Sequence, residues 1–404
     1  MRTQRIRAAW QELSHFERWA VFLWSLLLIV SAVRLIGSPD KHTVYPNFTE
    51  AASRWVRGSE LYASKGSYDF RYSPLVAIGF IPLLPLGNRI GGVIWCILSV
   101  TTLIAAMSWW LKQGTPEQIS GPKRGILFLL LLPLTIGNIA SDQSNALVLA
   151  FMLVAITAVQ VDLFSLAAIA IVGAFLFKIY PLSLGLLLIL IHPPKMSGRL
   201  LLFLVAGLLL PYLFQRPAYV TATYRNWIHY LTVEDRSTDG PGHAYRDLQF
   251  LLHDLSIVIV QRTYRLIELG TAGALALFCL IARLKGWHPA RLHFFTLTVA
   301  VCWMTVFGPA TESMTYLLIA PIVCWLLITT KLSRSSWTGY LYLLSYLLLL
   351  YPPFAGMFGH HSVFRTPRLK SIQPIAALLL LAGTLIDAVG NTGTERHQLS
   401  TGVR

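Results

Sequence analysis

The chain has 404 residues, 55% of them hydrophobic and only 13% charged. A soluble domain carries about 25% charged residues, so an ordinary soluble enzyme is excluded. The net charge of +15 does not point to nucleic acid. The basic residues lie in short segments beside apolar blocks, the pattern of cytoplasmic loops in membrane proteins.

Arg2, Arg5, Arg7 and Arg18 precede an apolar run from about Trp19 to Ile36. No small-residue cleavage site follows, so the run reads as a first membrane helix with its N-terminus inside. Residues 37–73 then form a polar outer loop. The stretch 74–87 is short and broken by Pro74, Pro82 and Pro85, and reads as a re-entrant or half-spanning helix. A full helix follows at about 89–111, and Lys112, Lys123 and Arg124 mark an inner loop. Apolar segments continue at about 125–139, 145–160, 163–177, 181–192 and 199–214. Residues 215–262 form a second long outer loop. Further apolar segments lie at about 264–282, 292–307, 316–330, 337–353 and 373–389. Lipid offers the backbone no hydrogen-bond partner, so each segment must be helical. The basic breaks His192–Arg199, Arg283–Arg291 and Lys331–Arg334 read as inner loops. If 74–87 does not cross, about 12 crossings result and both termini lie inside. The reading is therefore all-α: one polytopic transmembrane helical bundle over 1–404, with two long extracytoplasmic loops, 37–73 and 215–262. No fixed-period repeat and no inverted pair of broken helices is apparent. Cys96, Cys279, Cys302 and Cys324 lie inside apolar blocks without C-x-x-C spacing, and read as small core residues.

On this topology the polar residues that are not loop anchors collect at the outer face. Asp40, Glu50, Glu60, Asp69, Arg71 and Tyr72 come from the first loop, and Asp142, Gln143 and Asn145 from a helix–helix break. Lys178 and Tyr180 occupy another break, in FLFKIYPLSL. Arg225, Glu234, Asp235, Arg246 and Asp247 come from the second loop, Glu312 from GPATESMTY, and His360 and His361 from the last outer loop. An ionisable group in a membrane segment costs about 2.5–3.5 kcal/mol on insertion scales, so each needs a reason. Lys178 reads either as a lysine snorkelling to the interface or as a cation pairing with an anionic lipid head group. Glu312 reads as a helix-terminus carboxylate or a site residue, and Asp142 as a cap for the helix that follows. Carboxylates in an outer cavity are candidate general bases. Arginines and Lys178 are candidate phosphate ligands, and Tyr62, Tyr72, Trp227 and Tyr230 are candidate cavity-lining aromatics. These features fit a lipid-linked glycosyltransferase, a glycan polymerase or ligase, or a transporter. The sequon NFT at 47–49 reads as coincidence.

The stretch from Tyr45 to Trp95 narrows the choice. It reads YPNFTEAASRWVRGSELY, then FRYSPLVAIGFIPLLPLGNRIGGVIW. A tyrosine, an Ala-Ala pair, a glycine and Leu-Tyr are followed by aromatic-x-Tyr-x-Pro, a proline- and leucine-rich run and a tryptophan. This pattern resembles glycosyltransferase family 87, the polyprenyl-phosphate-mannose-dependent mannosyltransferases of the C-type superfamily. IGNIASDQSNALVLAFML resembles the family's Gly-Gln-x-Asn motif, and KIYPLSLGLLLIL its Lys-x-x-Pro motif.

The resemblance implies transfer of a hexose, with mannose expected, from a polyprenyl-phosphate donor to a glycan or glycolipid acceptor. Transfer would occur at the outer face of the cell membrane, without nucleotide sugar, metal or other cofactor. A first-loop carboxylate would take the acceptor's proton. The family's usual aspartate position is occupied here by Lys41, in DKHTVY. The base is therefore expected at Asp40 or Glu50, with Asp69 and Glu312 in support. Arg71, Tyr72, Asp142, Gln143, Lys178, Tyr180 and Glu312 are expected to bind substrate.

Overall fold

The computed structural model describes residues 10–62, 70–233, 246–308, 311–332, 337–358 and 372–401. Every described secondary-structure element is helical. In chain order they are α1 (His15–Gly37), α2 (Tyr45–Arg57), α3 (Pro74–Gly79), α4 (Gly87–Trp109) and α5 (Gly121–Ala140). Next come α6 (Asn145–Gln160), α7 (Phe164–Phe177), α8 (Leu182–Ile191), α9 (Pro193–Leu209) and α10 (Pro217–Val233). The last are α11 (Leu248–Asp254), α12 (Gln261–Leu284), α13 (Pro289–Phe307), α14 (Ala320–Thr329), α15 (Trp337–Phe358) and α16 (Ile372–Thr401). Each apolar segment of the sequence coincides with one of these helices. The proline-broken stretch is helix α3 followed by a 3₁₀ turn, Ile81–Leu86, which runs into α4.

Among the described residues seven helices are long and apolar enough to cross a membrane, and the chain is a polytopic helical bundle. Burial sorts the helices of the bundle into layers. Helix α6 is buried on almost every side, as is α13, so these two form the middle. Helices α9 and α12 are the least buried of the seven. They leave Leu201, Leu202, Leu266 and Leu269 uncovered, as lipid-facing helices do. Helix α8 has 10 residues and so spans about 15 Å, half of a bilayer core. The chain enters it through one extended residue, Lys178 (φ −147°, ψ 135°), and a tight turn that ends at Pro181.

Long-range hydrogen bonds assign the loops to two ends. At one end Arg124 binds Glu17 at 2.6 Å, Lys195 binds Asp162 at 2.9 Å, and Trp325 Nε1 donates to the Glu117 carbonyl. The basic inner breaks gather here. At the other end the Val44 amide donates to the Ser141 carbonyl and the Ser73 amide to the Leu176 carbonyl, both at 3.0 Å. Trp227 Nε1 donates to the Arg71 carbonyl at 3.1 Å, and the Arg246 amide to that of Thr311. The described parts of both long loops, and Glu312, therefore share one end. They are not unstructured: α2 is amphipathic, burying Tyr45, Phe48, Ala52 and Trp55 and ending at Gly58 in the left-handed region (φ 64°).

Two joints fix this end. Tyr45 is fully buried against α4 at Gly91, where a methyl group would overlap the tyrosine hydroxyl. The second is the corner between α5 and α6, where Asp142 is held at φ 53°. Its Oδ2 accepts from the Thr43 hydroxyl at 2.7 Å, and its carbonyl accepts from Trp95 Nε1 at 3.0 Å. The sequence reading had Asp142 as a cap for α6. Its carboxylate instead turns back to Thr43, and no side chain caps α6. Burial pushes the Asp142 carboxyl up to about 6, against the pull of the Thr43 hydrogen bond and the nearby Arg34 charge.

Two outcomes follow from these joints. Gly91→Ala should destabilise the protein by about 1–3 kcal/mol, the usual range for overpacking. Gly91→Ala combined with Tyr45→Phe should recover part of that loss in thermal unfolding. Asp142 holds its proton more tightly in the folded chain than in the unfolded one, so its contribution rises as pH falls. Between about pH 7.5 and about pH 4.5 it should stabilise the fold progressively. Asp142→Asn should lack this increment when unfolding midpoints are compared at the two pH values.

Candidate active site

The loop that carries Tyr72 is strapped from three directions. The Tyr62 hydroxyl donates to the Tyr72 carbonyl at 2.8 Å, Trp227 holds the carbonyl before it, and the Ser73 amide reaches Leu176. The Tyr72 ring stacks on Phe48 with centroids 5.0 Å apart, and its edge meets Phe177 at 6.0 Å. Phe48 stacks in turn on Phe80 at 4.4 Å, and Phe80 packs on Trp95 at 4.8 Å. The tyrosine, Ala-Ala and tryptophan positions of the Tyr45–Trp95 stretch therefore belong to one aromatic cluster whose edge is Tyr72.

Charge gathers around this tyrosine. The Ser144 hydroxyl approaches the Tyr72 oxygen at 3.4 Å. Burial raises the Tyr72 phenol above its ordinary value; Lys178 and the Ser144 hydrogen bond pull it back, and Glu312 and Tyr180 push it further up. The Lys178 ammonium lies 5.6 Å from the centroid of the Tyr180 ring. Burial, with Glu312 adding its charge, also raises the Tyr180 phenol; Thr315 stands beside it. Lys178 and Glu312 thus flank the same two tyrosines. Among the described residues neither forms an ion pair, and half-buried Lys178 has no hydrogen-bond partner for its side chain. A half-buried ammonium without a counter-charge is costly, so the arrangement is poised for an anion.

The Glu312 segment is fixed by two asparagines. Asn138 Nδ2 donates to the Met314 carbonyl at 2.9 Å, and Asn145 Nδ2 donates to Asn138 Oδ1 at 2.9 Å. Gly137 makes room for the Met314 sulfur in the same contact. Asn145 is the asparagine of the Gln-x-Asn motif. Asn138 and Ser144 were not singled out from sequence, since nothing in isolated short polar residues distinguishes them.

Other candidates have different surroundings. Glu50 sits on the exposed face of α2, bound to Arg54 at 2.9 Å and near Arg57 at 3.8 Å. Asp40 is exposed, and its Oδ1 accepts from Asn88 Nδ2 at 2.7 Å; Asn88 Oδ1 accepts from Thr49. No described contact joins either carboxylate to Tyr72, Lys178 or Glu312. The Arg71 guanidinium packs over the Tyr230 ring. Gln143 is half-buried at the α5–α6 corner, and Asp247 caps α11 through the Phe250 amide. Asp69, Glu234, Asp235, His360 and His361 lie outside the described residues.

An apolar cavity of about 350 Å³ begins beside this charged group. Leu75, Phe80, Trp95, Phe151 and Phe177 line it, and Ile94 and Leu98 at its edge are exposed on the outside of the bundle. Phe177, which precedes Lys178 in the chain, forms part of both the cavity wall and the Tyr72 contact.

A comparison with curated proteins finds no match. The chain does match the family model of glycosyltransferase family 87 over residues 70–309. That span takes in Tyr72, the α5–α6 corner, Lys178 and the cavity wall. It begins after α2 and stops short of Glu312. Since it covers more than half of the chain, the protein belongs to glycosyltransferase family 87 and is a multi-pass membrane glycosyltransferase.

Proposed function

We propose that the enzyme transfers a hexose, mannose in the first instance, from a polyprenyl-phosphate donor to a glycan or glycolipid acceptor at the extracytoplasmic face of the cell membrane. One observation carries this reading: a half-buried cation, Lys178, with no ion-pair partner among the described residues, adjoins an apolar cavity whose edge is lipid-facing. An anionic head on a long hydrocarbon tail satisfies both features at once. The phosphate meets Lys178 beside Tyr72, and the first isoprene units lie against Leu75, Phe80 and Phe177. A nucleotide sugar would leave the apolar wall unused. The outer assignment rests on the basic loops gathering at the opposite end.

In the proposed reaction the acceptor hydroxyl attacks the anomeric carbon as the bond from that carbon to the phosphate oxygen breaks. Negative charge grows on the departing phosphate, and Lys178 stabilises it in surroundings of low dielectric. The acceptor's proton goes to a carboxylate on the same side. Glu312 is the first candidate, because it shares Tyr72 and Tyr180 with Lys178. Asp40, expected from the resemblance, is the second, and its link to Asn88 holds it at the rim. Glu50, engaged by two arginines, ranks third.

A radiolabelled polyprenyl-phosphate hexose assay tests these roles separately. Lys178→Gln should weaken donor binding and lower turnover. Glu312→Gln should lower turnover by about 100- to 10,000-fold, the range for a general base, with donor affinity little changed. Full activity in Glu312→Gln with loss in Asp40→Asn would move the base to Asp40. Unchanged donor affinity in Lys178→Gln would overturn the phosphate assignment.

A further inference from the structure

The end opposite the active site holds a second cavity, of about 280 Å³, that the transfer reaction does not use. It lies where α8 ends, α9 begins, α12 ends and α13 begins, and His192, Lys195, Arg283, Trp287 and His293 line it. Arg283 is half-buried and gives one N–H to the Leu190 carbonyl at 2.9 Å. Among the described residues it meets no carboxylate. Lys195 binds the exposed Asp162 at 2.9 Å, with its ammonium 4.8 Å from the Phe164 ring centroid. Among the described residues Asp162 is the one acid that binds a cation of this group, against Lys195 and Arg283, with Arg199 hydrogen-bonded to the Lys195 carbonyl.

Two histidines complete the wall without adding charge. His293 Nδ1 lies 2.6 Å from Gln160 Oε1, so it carries the proton, and its Nε2 accepts from His192 Nε2 at 2.8 Å. In this arrangement His293 is neutral, and burial with the Lys195 and Arg283 charges holds His192, at the cavity edge, below its ordinary value. The pocket therefore has a fixed polar wall and a guanidinium whose remaining donors face no acid.

The flanking helices indicate the occupant. Helices α9 and α12 are the two least buried of the long apolar helices; exposed Leu284 adjoins Arg283 of the pocket wall, and exposed Leu201 and Leu202 follow further along α9. A cationic head pocket thus opens directly onto two lipid-facing surfaces. We propose that this cavity binds the phosphate headgroup of an anionic glycerophospholipid of the cytoplasmic leaflet. Its phosphate lies between Arg283 and Lys195, and its acyl chains lie along α9 and α12. Soluble phosphate shares the headgroup chemistry but would leave the apolar flanks without a role. The proposal is independent of the sugar donor and of the catalytic base.

The test is native mass spectrometry of the full-length protein titrated with phosphatidylglycerol, phosphatidylcholine or inorganic phosphate. The wild-type protein should prefer phosphatidylglycerol over phosphatidylcholine. Arg283→Gln with Lys195→Gln should weaken phosphatidylglycerol binding by at least about 10-fold, given the strength of each basic contact at an anionic surface. A charge-matched control at the same end, Lys112→Gln with Lys331→Gln, should bind as wild type does. Thermal unfolding in phosphatidylcholine nanodiscs establishes that each variant is folded. If the double variant is not, Lys195→Gln alone serves, since its side chain is exposed, and should still weaken binding several-fold. Wild-type affinity in the folded pocket variant overturns the proposal. So does equal binding of the two lipids, or full displacement of phosphatidylglycerol by millimolar phosphate, which would identify a soluble-anion site.

Discussion

Backbone polar groups buried away from water must find partners within the protein, and the whole end of the bundle that carries Tyr72 follows from how this chain meets that constraint. Its helices are interrupted at 71–73, 141–144 and 178–181, and each break frees carbonyls that no helix uses. Aromatic side chains with a polar tip close several of them. Trp95 takes the carbonyl of Asp142, Trp227 that of Arg71, Tyr62 that of Tyr72 and Tyr316 that of Arg246. Each such residue buries a large apolar body while satisfying one orphan acceptor. The 12 tryptophans and 16 tyrosines of the chain are thus more than interfacial anchors. Several rivet the non-helical backbone on which the candidate site is built.

Much of this architecture was legible in the sequence, for a simple reason. In lipid, a block of apolar residues of sufficient length has only one backbone solution, so block boundaries become helix boundaries. The proline-broken stretch at 74–87 was equally readable: Pro74 suits the first position of α3, and Pro82 and Pro85 fall in the 3₁₀ turn that follows it. Lys178 and Glu312 stood out because charge among apolar residues is expensive. What was not legible rests on pairing over long sequence separations. Asn138 reaches Met314 across more than a hundred positions, and Trp227 reaches Arg71 from the other outer loop. Asp142 was read as a helix cap because local spacing allowed it. The nearer competitor in space, Thr43, comes from a segment that spacing cannot see. Glu50 is similar: its place beside the Ala-Ala pair suggested chemistry, but helical geometry sets it one turn from Arg54, on the exposed face.

The two ends of the bundle manage charge differently. At the basic end, Glu17 meets Arg124, Glu117 meets Lys123 and Asp162 meets Lys195. Most of these pairs are exposed, and pairs of that kind contribute little to stability. They set orientation through the positive-inside bias rather than through strength. At the other end Lys178 and Glu312 share neighbours without meeting. A direct ion pair there would satisfy both in the resting protein and leave neither available. Separation around Tyr72 and Tyr180 keeps half-buried Lys178 and exposed Glu312 apart, each acting on the same two tyrosines.

That separation has an energetic logic for glycosyl transfer. An ammonium held over the face of Tyr180 gains partial compensation from the ring quadrupole. This lowers the cost of leaving it unpaired without quenching its charge. In the proposed transfer, where negative charge would develop on a departing phosphate, the same ammonium would respond with no reorganisation, because the Lys-x-x-Pro break has already fixed its backbone. The aromatic cluster that ends at Tyr72 excludes water from one side, which strengthens the interaction. Snorkelling alone would require none of these arrangements: a lysine seeking the interface needs only a flexible stem and solvent. The convergence on Lys178 of a broken helix, a ring face, a strapped tyrosine and an apolar cavity therefore favours a ligand-binding role over a purely anchoring one.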